Sequence, residues 1–513
     1  MTKHLEAGIR VPVEPNNVSL KRIEDLCIKC GKCRDVCSQM ISVGGHFDIN
    51  KTMDTAICIN CGQCILTCPT GSLVERQDWM DVQRIIDLGN KKVVFMTSPS
   101  VRVGLGEEFG LPNGSFVEKK MVGALRKLGG NYIFDTTFAA DLTIMEEASE
   151  LIDRITNSKP LPQFTSCCPA WVKFVETYYP SMLNNISTSK SPISMFGPTI
   201  KTYFKEKEKL NIEDIVTVAI TPCTAKKYEI KRPEMNDAGK LEGKDNIQDT
   251  DYVITTRELA KWLKALNLDL NDIEESEYDD LLPKGSGAGV IFGNTGGVME
   301  AALRTAAYML DGKNLPVDSI KFESVRGLNG IKEATVRIKD MDVKVAVIHG
   351  TNNAREFIKN GIDGYHFVEV MTCSGGCIAG GGQPIHLSQD MDEIRKARIE
   401  SLYKDDEKSK IRYSHENVEL KKLYEEYFSE PMSELAEQLL HTSYIDRSSD
   451  LNEDPSIYSE PTKNIEKENV NTSSISYVCI MCGYVYEGDI TLESDDYICP
   501  ICSVGKELFE KKN

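Results

Sequence analysis

The sequence predicts an α/β protein whose central domain, built on parallel sheets, stands between a small α+β cysteine-rich domain and a small β metal-knuckle domain. Three observations predict it. Between residues 79 and 444 buried-strand patterns alternate with helical ones, eight cysteines crowd the stretch 27–68, and four more form two CxxC pairs between 479 and 502. Five further cysteines, Cys167, Cys168, Cys223, Cys373 and Cys377, are scattered through the central region. A chain of 513 residues has room for these domains and a large core. Its net charge of −18 argues against nucleic acid and anionic membrane surfaces as partners. The first residues carry no apolar leader, and no run approaches the roughly 18 apolar residues that span a bilayer, so a cytoplasmic location is expected. Reducing cytosol keeps thiols free, so the cysteines are expected to serve metals and not disulfides.

Residues 1–20 read as an N-terminal extension and 21–78 as the first cysteine-rich domain. There CIKCGKCRDVC from Cys27 and CINCGQCILTCP from Cys58 each give C-x2-C-x2-C-x3-C, the spacing of a bacterial ferredoxin. Three close thiolates hold three corners of a cubane, and the fourth comes from the other run. Cys27, Cys30, Cys33 and Cys68 are thus assigned to one 4Fe-4S cluster, and Cys58, Cys61, Cys64 and Cys37 to a second. Ser38 follows Cys37 where the ferredoxin pattern has proline. Zinc sites seldom use cysteines this densely twice over.

In the central domain, 79–444, strands are expected at Lys92–Thr97, Tyr132–Asp135, Ile215–Ile220, Val343–Ile348 and Phe367–Met371. Helices are expected at Phe116–Leu128, Ala139–Ile155, Thr256–Leu266 and Val298–Leu310. Ligands of open α/β sheets bind beyond the carboxyl ends of strands. The loops SPSVR at Ser98, SCCPAW at Ser166, TPCTAKKYE at Thr221 and the stretch opening at Cys373 can therefore meet at one rim and bring the five cysteines together. A helical turn from Cys373 to Cys377 would put both thiols on one face, and Gly375, Gly376 and Gly380–Gly382 let the backbone approach something large.

FTSCCPAW, TPCTAKKYE and EVMTCSGGCIAGGGQP resemble the three signature loops of iron-iron (FeFe) hydrogenases, and the resemblance extends from around Cys27 to around Tyr444. It implies an H-cluster: a 4Fe-4S cubane joined through one cysteine sulfur to a two-iron azadithiolate unit with CO and cyanide, inserted by maturation proteins. Cys168, Cys223, Cys373 and Cys377 would ligate the cubane, with Cys377 the bridging sulfur. Cys167 would remain a free thiol able to carry a proton. The resemblance further implies a proton path of Glu147, Ser187 and Glu150 leading outward from Cys167, with Arg154 near its mouth. The spacing of Glu147, Glu150 and Arg154 puts them on one helix face, which by itself reads as an ordinary solvated charged surface. Lys226 would donate to a cyanide, Pro99, Ser100 and the Gly293 backbone would cradle the diatomic ligands, and Met371 would pack over the two-iron unit. Thr221 stands where the second loop usually has methionine, and Ile193 where many relatives have a polar residue.

Residues 391–444 are charged and helical in pattern and resemble the segment that wraps the outside of such a domain; His415 and His441 are expected at the surface or in packing. The polar stretch 445–475 reads as a flexible linker. In 476–513, Cys479, Cys482, Cys499 and Cys502 suit one tetrahedral Fe or Zn, and Tyr477, Gly483, Tyr484, Tyr486, Pro500 and Lys506 resemble rubredoxin in the short form of rubrerythrin tails, which implies iron. Ser503 replaces the usual glycine, and so small a module needs its metal to fold. Taken together, the resemblances imply reversible interconversion of protons and electrons with H2, the electrons relayed by two 4Fe-4S clusters and a rubredoxin-type iron from a ferredoxin or similar carrier. The alternatives are an H2 sensor or non-turnover iron–sulfur protein on the same scaffold, or the catalytic subunit of an electron-bifurcating complex, whose flavin or nicotinamide chemistry would need partner subunits. Oligomeric state is left open.

Overall fold

The computed structural model describes residues 10, 11, 13, 16–41, 43, 58–314, 326–387 and 389–451, with 476–479, 485–487, 490–492, 506 and 509–512 near the C-terminus. An antiparallel pair, β1 (Leu20–Arg22) and β2 (Leu73–Glu75), brackets the first cysteine-rich region, with Leu20 opposite Glu75. Among the described residues between them lie two short helices, α1 (Lys32–Gln39) and α2 (Gln63–Leu66).

Among the described residues eight strands follow: β3 (Lys92–Thr97), β4 (Tyr132–Asp135), β5 (Gln163–Phe164), β6 (Ile215–Thr221), β7 (Tyr252–Thr255), β8 (Ile331–Ile338), β9 (Met341–His349) and β10 (Phe367–Met371). They form two sheets. The first has order β4-β3-β6-β7 and is parallel throughout. Val93, Phe95, Val218 and Ile220 point into one core and Val94, Met96, Phe134 and Ala219 into another, so both faces are covered and the strands read as continuous apolar runs. Each such large side chain contributes about 1.5–3 kcal/mol by burial. The second sheet has order β5-β10-β9-β8; β5, β10 and β9 are parallel, while β8 joins β9 as an antiparallel hairpin that the sequence pattern did not reveal.

The helices that position the site are α3 (Glu118–Leu128), α4 (Thr136–Thr156), α5 (Pro169–Tyr178), α6 (Thr256–Ala265), α7 (Gly297–Asp311) and α8 (Met391–Lys408). Helix α4 starts three residues earlier than its apolar pattern suggests, because the Asp135 side chain caps it by accepting from the Thr137 amide at 3.0 Å. His415 and His441 are both buried, so neither is a surface residue. His415 stacks on Tyr308, and His441 bridges Thr188 (2.8 Å) and Glu146 (3.1 Å). At the C-terminus β11 (Ser476–Cys479), β12 (Val485–Glu487) and β13 (Phe509–Lys512) form an antiparallel sheet of order β12-β11-β13. Cys482, Cys499 and Cys502, and most of the expected linker, lie outside the described residues. Among the described residues no helix is long and apolar enough to cross a membrane.

Candidate functional site

Strand β10 is buried along its whole length and delivers the chain to Cys373. Gly375 (φ 91°) and Gly376 (φ 96°) then adopt left-handed conformations, and Cys377 opens a single 3-10 turn. Cys373 and Cys377 therefore converge through a glycine turn and not, as their spacing suggests, on one face of a helix. Farther along the loop a Cβ on Gly381 would overlap the Cys61 carbonyl, so this backbone packs directly on the first cysteine-rich region. Long side chains stitch the loop down: Gln383 Nε2 donates to the Ser100 carbonyl (2.9 Å), Arg257 to the Gly381 carbonyl (2.7 Å), and Arg398 to the Ile378 carbonyl (2.7 Å).

The loops after β3, β5, β6 and β10, two from each sheet, line one cavity. Cys167, Cys168, Cys223, Cys373 and Cys377 all border it, as do Pro99, Ser100, Lys226, Gly293 and Met371. Thr221 and Ile193 also line the wall, so both departures from the loop pattern bear on the cavity's polarity. Lys226 is buried, and its Nζ donates to the Cys167 carbonyl (3.1 Å) and to Glu229 (2.8 Å), which in turn accepts from the Ser191 hydroxyl (3.0 Å). Burial pulls the Lys226 pKa down, but Glu229 and the neighbouring Cys223 and Cys167 more than offset it and the ammonium is held charged.

An H-cluster of the kind the loop resemblance implies fits these walls. Five thiols supply more sulfur ligands than one cubane needs, Lys226 supplies one cation, and the buried Ser100 hydroxyl has no hydrogen-bond partner among the described residues. Gly293 leaves space that a Cβ would close against Ser100 Oγ.

Behind Cys167 lies a line of buried polar groups carried by α4 and the 187–189 segment. Burial, and then the facing charge of Glu147, push the Cys167 thiol well above its ordinary value. Burial, then Glu150, push the Glu147 carboxyl up to about 8. Neither Glu147 oxygen has a hydrogen bond of ordinary geometry, although the Ser166 amide and Ser187 hydroxyl lie close enough to favour its charged form. Ser187 Oγ donates to Glu150 Oε2 at 2.6 Å, and the Thr188 amide also reaches that carboxylate at 3.0 Å. Arg154 pairs with Glu150 Oε1 (2.7 Å) and donates to the carbonyls of Pro160, Asn184 and Ile186. This face of α4 is thus enclosed, not solvated; even Arg154 is only 6% exposed.

The remaining described cysteines divide into two sets. Cys27, Cys30, Cys33 and Cys68 line one cavity, and Cys37, Cys58, Cys61 and Cys64 line another. Among the described residues no group of three or more Cys, His, Asp or Glu side chains is placed to hold a single metal ion. Cys30 is exposed, whereas Cys61 is within electrostatic reach of Cys223 and Cys168. Glu229, Gln383, Glu369 and Tyr444 were not singled out in the sequence. Only Glu229, three residues after Lys226 on one short helix, carried a local signal. Glu369 accepts from the Gly296 and Met299 amides at the start of α7, and the Tyr444 hydroxyl donates to the Ser187 carbonyl.

Residues 91–381 match the family described as the C-terminal domain of the iron only hydrogenase large subunit, 392–447 the iron hydrogenase small subunit, and 477–510 the rubredoxin-like domain of rubrerythrin. The NADP-reducing hydrogenase subunit HndD of Solidesulfovibrio fructosivorans is 43% identical over 452 residues, covering 84% of this chain and 75% of that protein. Iron hydrogenase 1 of Clostridium pasteurianum is 43% identical over 449 residues, covering 84% and 77%. Among solved structures, a variant of the apo FeFe hydrogenase HydA1 from Chlamydomonas reinhardtii superposes with a TM-score of 0.63 at 37% identity, covering 72% of this chain and 99% of that one.

Proposed function

The chain belongs to the iron-only (FeFe) hydrogenase family and is an oxidoreductase acting on hydrogen, and from that premise we propose how its own residues divide the work. Cys168, Cys223, Cys373 and Cys377 would hold the cubane of an H-cluster whose two-iron unit maturation proteins insert. When bound, this group supplies the redox centre at which protons and electrons interconvert with H2. Lys226 and the Ser100 hydroxyl offer donors to its diatomic ligands, the Gly293 backbone and Pro99 shape the space around them, and Met371 packs over them. Glu229 keeps Lys226 charged against the cost of burial.

Cys167 holds a proton at Sγ at the inner end of the path. Glu147, whose carboxyl ionises at about 8, carries that proton at neutral pH and releases it at small cost. The Ser187 hydroxyl can accept from Glu147 while donating to Glu150, and Arg154 fixes Glu150 by its two guanidinium contacts. Electrons travel a separate route. The set around the exposed Cys30 and the set around Cys61 each hold a 4Fe-4S cluster, the first facing a ferredoxin-like carrier and the second facing the cavity.

On this reading residues 21–78 are the electron-transfer domain, 79–444 the catalytic domain, 445–475 a linker and 476–513 a cytoplasmic enzyme's rubredoxin-like tail. Cys479, Cys482, Cys499 and Cys502 hold one iron there. Rubredoxin-type iron sits at a higher potential than ferredoxin clusters, which suits it to accept electrons during H2 oxidation.

The observation that carries this reading is the meeting of five cysteines from three separate loops in one cavity beside a buried carboxylate line. Its test is an infrared spectrum of the matured chain in the CO and cyanide stretching region, with H2 evolution from reduced viologen. Bands without turnover would favour a sensor or assembly protein, and absence of both in iron-replete protein would refute the reading. A second reading, the catalytic subunit of a larger complex, is favoured by the likeness to an NADP-reducing hydrogenase subunit. Turnover with viologen but none with NADH by the isolated chain would support it.

A further inference from the structure

We propose that Gln63 is a hydrogen-bond bridge between two cluster sites, which raises the midpoint potential of the catalytic cubane and links it to the neighbouring 4Fe-4S cluster. The inference rests on the cubane assignments made above and goes beyond them by giving a role to a residue that ligates nothing. Gln63 opens α2, is 3% exposed, and reaches out of the first cysteine-rich region into the third loop. Its Nε2 donates to Cys373 Sγ at 3.1 Å and to the Ala379 carbonyl at 3.0 Å. A carbonyl can only accept, so the Ala379 contact fixes which end of the amide faces the sulfur. The backbone N–H of the same residue lies near enough to Cys61 to favour its thiolate. A residue lying in sequence between Cys61 and Cys64 therefore hydrogen-bonds a thiol of the catalytic cavity.

The surrounding seam holds this geometry from both sides. The Gly381 backbone lies against Gly62 and the Cys61 carbonyl. Thr224 Oγ1 donates to the Asn60 carbonyl (2.8 Å), and Lys173 to Asn60 Oδ1 (3.0 Å). A Gln63 side chain clamped in this way loses little freedom when it makes its two bonds.

The physical effect has a fixed sign. Reduction adds one electron to a cubane, with no bond made or broken and no proton required, and the added negative charge resides in part on the ligand sulfurs. An N–H aimed at one of those sulfurs stabilises the reduced form more than the oxidised form, and so raises the potential. Substituting the side chain removes the bond to Cys373 and leaves the Gln63 backbone beside Cys61 in place, so only the catalytic cubane should respond. A merely structural role would move all clusters or none.

The test is a potentiometric EPR titration of the full-length chain carrying its cubanes but not the two-iron unit. The catalytic step is identified by its loss in Cys168→Ala. Relative to wild type, Gln63→Leu should shift that step to more negative potential and leave the other steps in place. Gln63→Asn keeps the amide but is one methylene too short to reach Cys373, and should behave like Gln63→Leu. Gln63→Glu, of the same shape but with an accepting, negative carboxylate, should shift it further. An unmoved catalytic step in the Leu and Glu variants, or an equal shift of every step, would overturn the proposal. Absence of a third cubane from the wild-type protein itself would instead overturn the ligand assignments beneath it.

Discussion

Replacing Glu147 by glutamine tests the proton path through two independent readouts. Ser187 has one hydroxyl proton and gives it to Glu150 Oε2 at 2.6 Å, so it cannot also donate to Glu147, which is left buried with neither oxygen bonded in ordinary geometry. Burial, and then the charge of Glu150, raise its pKa from 4.5 to about 8, a shift equivalent to about 5 kcal/mol, and nothing bonded in ordinary geometry offsets them. The sign follows from proton counting. Between the unfolded value and the folded one the native state binds one more proton than the unfolded chain. Wild-type stability therefore falls with rising pH by about 1.4 kcal/mol per unit across that window and levels off above it. The substituted amide cannot titrate, so the stability difference between Glu147→Gln and wild type should grow in the variant's favour from pH 4.5 to about 8 and then stay constant. Denaturant unfolding of the unmatured protein across this range measures it. In matured protein the amide cannot relay a proton, and turnover should fall by about 10²–10⁴ while the infrared bands stay in place. Parallel stability curves would show that Glu147 is not a strained acid, and turnover within roughly tenfold of wild type would remove it from the path.

Three further outcomes are expected. Lys226→Met strands Glu229 as a buried charge and should cost about 3–5 kcal/mol; adding Glu229→Gln should recover most of that stability in thermal unfolding without recovering turnover. Gly381→Ala forces a methyl group into the Cys61 carbonyl and should destabilise by about 1–3 kcal/mol, with a selective loss of ferredoxin-driven relative to viologen-driven H2 evolution. Changing Cys479 and Cys482 to serine should remove one iron per chain by elemental analysis and slow H2 oxidation with high-potential acceptors while leaving viologen-driven evolution unchanged.

The cysteine loops were legible because sulfur ligation fixes residue type and spacing, and β3 and β10 because strands buried on both faces leave short apolar runs, broken in β10 only by the buried Glu369. The β8–β9 hairpin was not. Its strands are joined through Lys339 and Asp340, with Lys339 at φ 53°, where a sequence reading looks for Asn-Gly or Asp-Gly. Nor could the sequence divide the strands between two sheets, since that division depends on which edges meet. The convergence of Cys373 and Cys377 was foreseen and its geometry was not, because a four-residue spacing suits a helix face and a glycine turn equally. Arg154 was identified, but its enclosure was invisible, as its acceptors at Pro160, Asn184 and Ile186 are backbone atoms that leave no trace in composition.

The contrast among the buried glutamates explains why the carboxylate line is more than an ion-pair network. Glu146 is satisfied by the Tyr424 hydroxyl (2.5 Å), the Met432 amide (2.7 Å) and His441. Glu150 has Arg154, Ser187 and Thr188, and Glu369 has amides at the start of α7. Glu147, on the same helix as Glu146 and Glu150, has none of comparable quality. Leaving a buried polar group unmet costs about 1–3 kcal/mol, and a neighbouring asparagine, serine or backbone amide could have met it as others do along α4. A carboxyl held that way would ionise low and keep its charge. Held without partners, between a raised thiol and a serine whose proton is committed outward, it can take up and release a proton near neutral pH. The raised carboxyl of Glu147 and the proton transfer proposed for it would thus follow from one arrangement of burial, charge and hydrogen bonds.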